Sequence, residues 1–328
     1  MEISVVVPVY GCREALPELH RRLTDALSSI TDSYEIILVD DRCPQNSWEE
    51  IAHICHTDKH VLGIHFARNF GQAHAITAGL VESRGDWIVV MDCDLQDPPE
   101  AIPELYAKAH EGYDVVFARR NQRKDTLVVR ALSRAFYRVY SYFADTVQDG
   151  DAATLSIASR RTIEAMLQLH EQGRDYVLTL SWIGFEQTSI DIVAGARYAG
   201  ESSYTFRRKI DLAITSITTH SNKPLTFVVK TGFLIALISF LILLWLIVGY
   251  FIDPNLPIGW TSSIASIFLM GGLTIAVIGV VGIYVGYTFE ESKRRPLYLI
   301  EDALNRHEPG SDTATQDRAD TERSRREA

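Results

Sequence analysis

Four cysteines in 328 residues are too few and too scattered for a disulfide-stapled fold, and none is paired as Cys-x-x-Cys. Cys12, Cys43, Cys55 and Cys93 all precede the apolar part of the chain. In a reducing cytosol they are expected as thiols, with no disulfide framework. Cys43, His53, Cys55 and His56 lie close together but lack zinc-ligand spacing, so no structural metal is expected there. Excess positive charge is missing too: a net charge of −10 leaves no footprint for nucleic acid. Met1 runs directly into the strand-like Ile3–Val7 and Pro8, without the charged and apolar regions of a secretory signal. No internal repeat is visible.

Long apolar runs, by contrast, are present, and both lie late in the chain. Phe227 to Ile252 carries only Lys230, and Ile264 to Tyr287 is a second such run. Each exceeds the roughly 20 residues that cross a bilayer. Soluble helices rarely stay apolar on every side for that length, so both are expected to span a membrane. Lys223 and Lys230 flank the first run, and Lys293, Arg294 and Arg295 follow the second. The connection 253–261 has no Lys or Arg. The bias of basic residues toward the cytoplasm therefore places both flanks and both termini inside, with a short non-cytoplasmic loop at 253–261.

The first 120 residues alternate strand and helix signals. Ile3–Tyr10, Tyr34–Asp41, Val61–Arg68, Asp86–Asp94 and Asp114–Arg120 each have a β-branched or apolar core, separated by helical patterns. Such alternation predicts an α/β domain with a mostly parallel sheet. Ligands of these sheets bind beyond the carboxyl ends of the strands. Those ends are polar here: Pro8-Val9-Tyr10, Asp40-Asp41, Arg68-Asn69, Asp92-Cys93-Asp94 and Arg119-Arg120. Further on, Leu127–Phe143 and Ile163–His170 read as helices, Ser189–Val193 as a short strand, and Tyr204–Thr219 as an interfacial segment. The polar tail from Glu308 is expected to be disordered. The organisation is thus a cytosolic domain over 1–203, a juxtamembrane segment over 204–226, two membrane helices within 227–288, and a cytosolic segment with a disordered tail over 289–328.

Asp92-x-Asp94 carries the strongest chemical signal. Two carboxylates two residues apart at a strand terminus can face one site where the chain turns, and hard divalent cations take such oxygen ligands while keeping positions open for phosphate. A cation bridging a diphosphate neutralises a leaving group, the central demand of nucleotide-sugar chemistry. Arginine forks suit bidentate phosphate binding.

Val5-Val6-Val7-Pro8-Val9-Tyr10, Val39-Asp40-Asp41, Arg68-Asn69-Phe70-Gly71-Gln72 and Asp92-Cys93-Asp94-Leu95-Gln96-Asp97-Pro98-Pro99-Glu100 together resemble family 2 glycosyltransferases. Within that family the chain is similar to bactoprenol glucosyltransferases and dolichyl-phosphate mannose synthases. The resemblance continues through Arg197-Tyr198-Ala199-Gly200-Glu201-Ser202-Ser203-Tyr204 and Glu291-Ser292-Lys293-Arg294-Arg295-Pro296-Leu297-Tyr298. It implies a Rossmann-like GT-A fold and transfer of a sugar from a nucleotide diphosphate to a polyprenyl phosphate.

By the same resemblance, Pro8, Val9, Tyr10, Asp40, Asp41, Arg68 and Gly71 would cradle the donor. Asp92 would sit near the ribose or metal, and Asp94 with Gln96 would hold Mg²⁺ or Mn²⁺. Arg120, Arg130, Ser133, Arg134, Arg197 and Ser202 would meet donor or acceptor phosphates. A homo-oligomer, a flippase partner and a bacterial inner-membrane location follow as expectations. Asp97 has a second possible role in capping the turn before Pro98.

Two departures stand out. Gly150-Asp151-Ala152-Ala153-Thr154-Leu155-Ser156 places Thr154, not Asp151, under the family aspartate. A phosphomonoester is already largely a dianion at neutral pH, so it needs positioning more than deprotonation. Asp40-Asp41-Arg42-Cys43-Pro44 lacks the small residue usual after the acid pair, which leaves the nucleobase open, with two membrane spans favouring a UDP-sugar and undecaprenyl phosphate. The rival readings are a transferase that extends a saccharide acceptor and a catalytically decayed membrane scaffold. The chain lacks the Gln-x-x-Arg-Trp motif of processive synthases.

Overall fold

A computed structural model of the chain describes residues 1–120, 152–169, 175–193, 195, 223–252 and 259–306. The first two strands, β1 (Ile3–Val9) and β2 (Tyr34–Asp40), are buried along their whole length, which suits their unbroken apolar sequences. β3 (Val61–Phe66), β4 (Trp87–Val90) and β5 (Val115–Arg120) follow, alternating with α1 (Leu16–Ser28), α2 (Ser47–Thr57), α3 (Gln72–Glu82) and α4 (Ile102–Ala109). After the undescribed segment come β6 (Ala152–Ser159), α5 (Arg160–Leu167), α6 (Tyr176–Ile183) and β7 (Gln187–Ile192). Two long helices, α7 (Lys223–Ile252) and α8 (Trp260–Ser292), precede β8 (Ile300–Leu304).

All eight strands form one sheet in the order β7-β5-β6-β4-β1-β2-β3-β8. β4, β1, β2 and β3 are mutually parallel, β6 runs antiparallel between β4 and β5, and β8 runs antiparallel along β3. Because β6 reverses direction twice over, β5 points the same way as β4, and the carboxyl ends of β1 to β5 share one edge. The expected mostly parallel α/β sheet is therefore present, with all five amino-terminal strands where the sequence puts them. The helix read at Ile163–His170 starts earlier, at Arg160. The helix read at Leu127–Phe143 and the interfacial segment Tyr204–Thr219 lie outside the described residues.

Two strands were not expected. β6 fills the gap between β4 and β5 that a purely parallel order would close, and only pairing on both sides makes its short Ala-Ala-Thr-Leu-Ser-Ile-Ala-Ser run a strand. β8 forms inside 289–328, with Ile-Glu-Asp-Ala-Leu too polar to announce itself. It is an edge strand, fixed by Ala67 N–H donating to the Leu299 carbonyl and by the Phe66 and Tyr298 rings stacking 5.2 Å apart. Asn305, in the left-handed region at φ 56, ends it by donating 2.8 Å hydrogen bonds to the carbonyls of Cys55 and Val61.

The two apolar runs are helical throughout, as their composition demands. Met270–Phe289 is long and apolar enough to cross a bilayer by length and composition. Ile275 on this stretch is 72% exposed, and Trp245 on α7 is equally exposed.

Close approach of α3 to β1 sets the packing of the sheet's helical face. A Cβ on Gly79 would lie 2.3 Å from Val6 Cγ1, whose strand position is fixed by neighbours on both sides. Gly79→Ala is expected to lower unfolding stability by about 1–3 kcal/mol, read by chemical denaturation of the full chain.

Candidate active site

Parallel pairing puts the exits of β4, β1 and β2 side by side. Val90 lies opposite Ser156 of β6, so Asp92, two residues beyond, reaches the level of Thr154. The chain then turns sharply: Leu95 is buried and left-handed at φ 59, a conformation that costs a non-glycine residue energy and persists only when its surroundings enforce it. Gln96 N–H donates to Asp94 Oδ1 at 3.1 Å, and the Gln96 carbonyl accepts from Gly195 N–H at 2.8 Å. Asp92, Asp94 and Gln96 are thereby gathered on one turn, each partly exposed.

The acids are held in different ways. Asp92 accepts from Gln72 Nε2 at 2.7 Å and from the Thr154 hydroxyl. Asp97 is fully buried and forms a bidentate pair with Arg120, Nε to Oδ1 at 2.8 Å and Nη2 to Oδ2 at 2.9 Å. Loss of hydration and the neighbouring charges of Asp94 and Asp97 push Asp92 up to about 6, against the pull of Thr154 and Arg120. Arg120, expected among the phosphate-binding residues, is thus engaged by Asp97, an acid for which the sequence left a capping role open. Thr154 is one of the departures named from the sequence, whereas Gln72 is a contact to Asp92 that residue-by-residue reading did not single out. Gln72 sits at the start of α3, within the quoted Arg-Asn-Phe-Gly-Gln run.

At β2 both acids face inward. Asp41 accepts from the backbone N–H groups of Phe70 (2.6 Å) and Gly71 (2.9 Å). Asp40 accepts from Cys43 N–H (3.2 Å) and from His65 Nδ1 (2.7 Å). Burial raises both carboxyls, and these hydrogen bonds oppose the rise. Asp41 therefore ties the β3–α3 loop, with Gly71 at φ 99, to the end of β2. Pro8 and Val9 are buried in β1, while Tyr10 stands 50% exposed at its exit. The Arg68 guanidinium lies 4.2 Å from the Phe70 ring centre. Arg130, Ser133, Arg134, Arg197 and Ser202, and with them Asp151, lie outside the described residues.

The cysteines require a correction. Cys12 and Cys93 form a disulfide, with Cα atoms 6.2 Å apart. They are 81 residues apart in sequence, but β1 and β4 are neighbours, so the residues just past their ends meet. The bond joins the loop after Tyr10 to the centre of the Asp92-x-Asp94 turn. Cys43 and Cys55 are buried thiols, and burial pushes Cys55 up to about 12.

Among the described residues no group of three or more His, Cys, Asp and Glu side chains could hold a metal by itself. The donor set instead suits a hard cation held by one or two carboxylates with phosphate completing the shell. The raised Asp92 carboxyl records the crowding of negative charge that such an ion would relieve. Asp92, Asp94 and the Gln96 amide are the side chains that could hold it.

A model of "Glycosyl transferase family 2" matches residues 4–159, which span β1 to β6 and every acid described above. The uncharacterized glycosyltransferase YkcC of Bacillus subtilis (strain 168) is 35% identical, over 92% of this chain and 94% of its own. The chain is a family 2 glycosyltransferase. The transferase is also 33% identical to the undecaprenyl-phosphate 4-deoxy-4-formamido-L-arabinose transferase of Proteus mirabilis (strain HI4320), over 94% of this chain and 95% of the relative. To the bactoprenol glucosyl transferase of Shigella phage SfV it is 32% identical, over 92% and 98%. Among solved structures, glucosyl-3-phosphoglycerate synthase from Mycobacterium tuberculosis is similar at 17% identity and a TM-score of 0.46, over 67% of this chain and 80% of that one.

Two outcomes test this geometry. Alkylation of the denatured, unreduced transferase should label Cys43 and Cys55 only, and prior reduction should add labels at Cys12 and Cys93, counted by peptide mass spectrometry. In the native state at pH 8, Cys55 should stay unlabelled, since its thiolate is absent there. Where Asp92 holds the cation, its proton must leave first, so Mn²⁺ affinity by titration calorimetry should be flat above pH 7 and weaken up to about tenfold per pH unit below 6. Asp92→Asn should remove that pH dependence.

Proposed function

We propose that the transferase moves a sugar from a nucleotide diphosphate sugar, a UDP-sugar by preference, onto undecaprenyl phosphate or a related polyprenyl phosphate. The observation that carries this reading is similarity over more than nine-tenths of the chain, both apolar helices included, to relatives named for undecaprenyl phosphate and bactoprenol. Those two relatives bear different sugars in their names. A prenol lipid is the common term, and the sugar stays a property of the donor pocket.

The reaction is a single in-line displacement. A phosphate oxygen of the lipid forms a bond to the anomeric carbon as the bond from that carbon to the nucleotide diphosphate breaks, with inversion. The diphosphate leaves with the electron pair, and no proton need be removed from a dianionic phosphate. Bound Mg²⁺ or Mn²⁺ would supply counter-charge to the departing diphosphate. Asp94, Gln96 and Asp92 hold the donor end in place, and the Leu95 turn fixes the spacing between them. Pro8, Val9, Tyr10, Arg68 and Gly71 line the donor cradle, with Asp40 and Asp41 behind it. Arg120, Arg130, Ser133, Arg134, Arg197 and Ser202 draw the acceptor phosphate toward the site.

The two helices span a bacterial inner membrane with the catalytic domain and both termini in the cytoplasm, which brings a short lipid headgroup within reach. A homo-oligomer and a lipid flippase are the protein partners this role calls for. Product would be a lipid-linked monophosphate sugar for cell-envelope glycans.

Purified full-length protein, given undecaprenyl phosphate, Mn²⁺ and either UDP-glucose or GDP-mannose, should yield a lipid monophosphate sugar by mass spectrometry. Asp94→Asn should cut turnover by about 100-fold or more. No lipid product from any nucleotide sugar, or full turnover with Asp94→Asn, would sink the reading.

A further inference from the structure

The segment that returns from the apolar helices ends beside the acid pair of β2. Pairing of β8 with β3 is irregular there: Asp302 lies opposite His65 and Ile300 opposite Phe66, so Glu301 is the extra residue of a bulge. Bulges redirect a side chain, and they collect beside active sites. Glu301 is turned onto the exit of β2, where its carboxylate pairs with the Arg42 guanidinium. Arg42 Nη1 also donates to His65 Nε2 at 3.0 Å. That bond leaves the proton on Nδ1, which donates to Asp40 Oδ2 at 2.7 Å. Trp48 stacks on the His65 ring at 5.0 Å and fixes its plane.

The relay does not stop at Asp40. The other oxygen of Asp40 accepts from Cys43 N–H, and Cys43 Sγ accepts from Gly11 N–H at 3.1 Å. Gly11 follows Tyr10 at the exit of β1, in the left-handed region at φ 75. A chain of contacts thus runs from the returning strand, through Glu301, Arg42, His65, Asp40 and Cys43, to the loop that carries the exposed Tyr10. Arg42 itself is left-handed at φ 53, a conformation its two partners hold in place.

We propose that Glu301, Arg42 and His65 are positioning residues for the nucleotide pocket: strand β8 clamps the β2 exit loop through them and thereby sets affinity for the nucleoside diphosphate. The proposal rests on the reading of this sheet edge as the donor site. It adds that the segment beyond the apolar helices is part of donor recognition, so that a chain ending at Ser292 would bind donor poorly.

The test is titration of UDP and of GDP, with Mn²⁺, into the full-length protein, alongside steady-state kinetics in donor. Glu301→Ala and His65→Phe should each raise Kd and donor KM by about tenfold, the loss of one charge-assisted hydrogen bond. At saturating donor, kcat should stay within about twofold. Glu301→Gln still accepts from Arg42, and His65→Asn still donates to Asp40; both should recover to within about threefold. The double variant Arg42→Ala with Glu301→Ala should be no weaker than the weaker single one. Where Glu301→Ala does not fold, Glu301→Asp keeps the charge and shortens its reach, and should raise Kd by about threefold.

Unchanged Kd in folded variants, while the unaltered protein binds UDP or GDP, would overturn the proposal alone. So would a fall in kcat at unchanged Kd, or conservative variants as weak as the drastic ones. Failure of the unaltered protein to bind either nucleotide would overturn the donor-site reading, and the proposal with it.

Discussion

Parallel pairing of β4, β1 and β2 is the constraint on which the rest depends. β1 hydrogen-bonds to a parallel strand on each side, so the loops that leave all three strands emerge together. Those loops carry Tyr10, the acids of β2 and the acids of β4. Negative charge is thereby concentrated at one edge, and the structure handles it in two ways. The β2 acids are satisfied within the protein, by backbone N–H groups and by His65, and act as struts. At β4, Asp97 is committed to Arg120, while Asp92 keeps a raised proton affinity between neutral donors. Similar residues at similar strand ends thus divide into scaffold and charge reservoir.

This division explains what the sequence could and could not announce. The alternating apolar runs of residues 1–120 place five strands correctly, because burial on both faces demands long apolar stretches that no loop tolerates. Asp92, Asp94 and Gln96 are legible because a turn directly after an apolar strand leaves few places for them to point. Partnerships across the sheet are not legible. Nothing in the spacing of Cys12 and Cys93 reveals a disulfide until β1 and β4 are known to be neighbours. Asp97 reads as a turn former, yet it holds Arg120, which comes 23 residues later.

β6 and β8 escape notice for a related reason. A strand inserted antiparallel between two others owes its conformation to its neighbours more than to its own propensity, and an edge strand needs polar residues on its open side. β6 nonetheless matters chemically, since its start brings Thr154 to Asp92. Thr154 thus gives the carboxylate of Asp92 a hydroxyl donor. A second carboxylate there would add to the charge already raising Asp92, whereas a hydroxyl opposes it.

β8 has the wider consequence, because it ties the sheet to the end of an apolar helix. Only residues 293–299 separate the end of α8 from the start of β8. Seven residues span at most about 25 Å when fully extended. The β3–β8 side of the sheet is therefore tethered within that distance of the end of an apolar helix. A long, loose linker would let the sheet move freely relative to the apolar helix, whereas a short one ending in a sheet strand keeps the two close. The same strand that shortens this tether also carries Glu301 onto the β2 exit, so the tether and the contacts at that exit share one element.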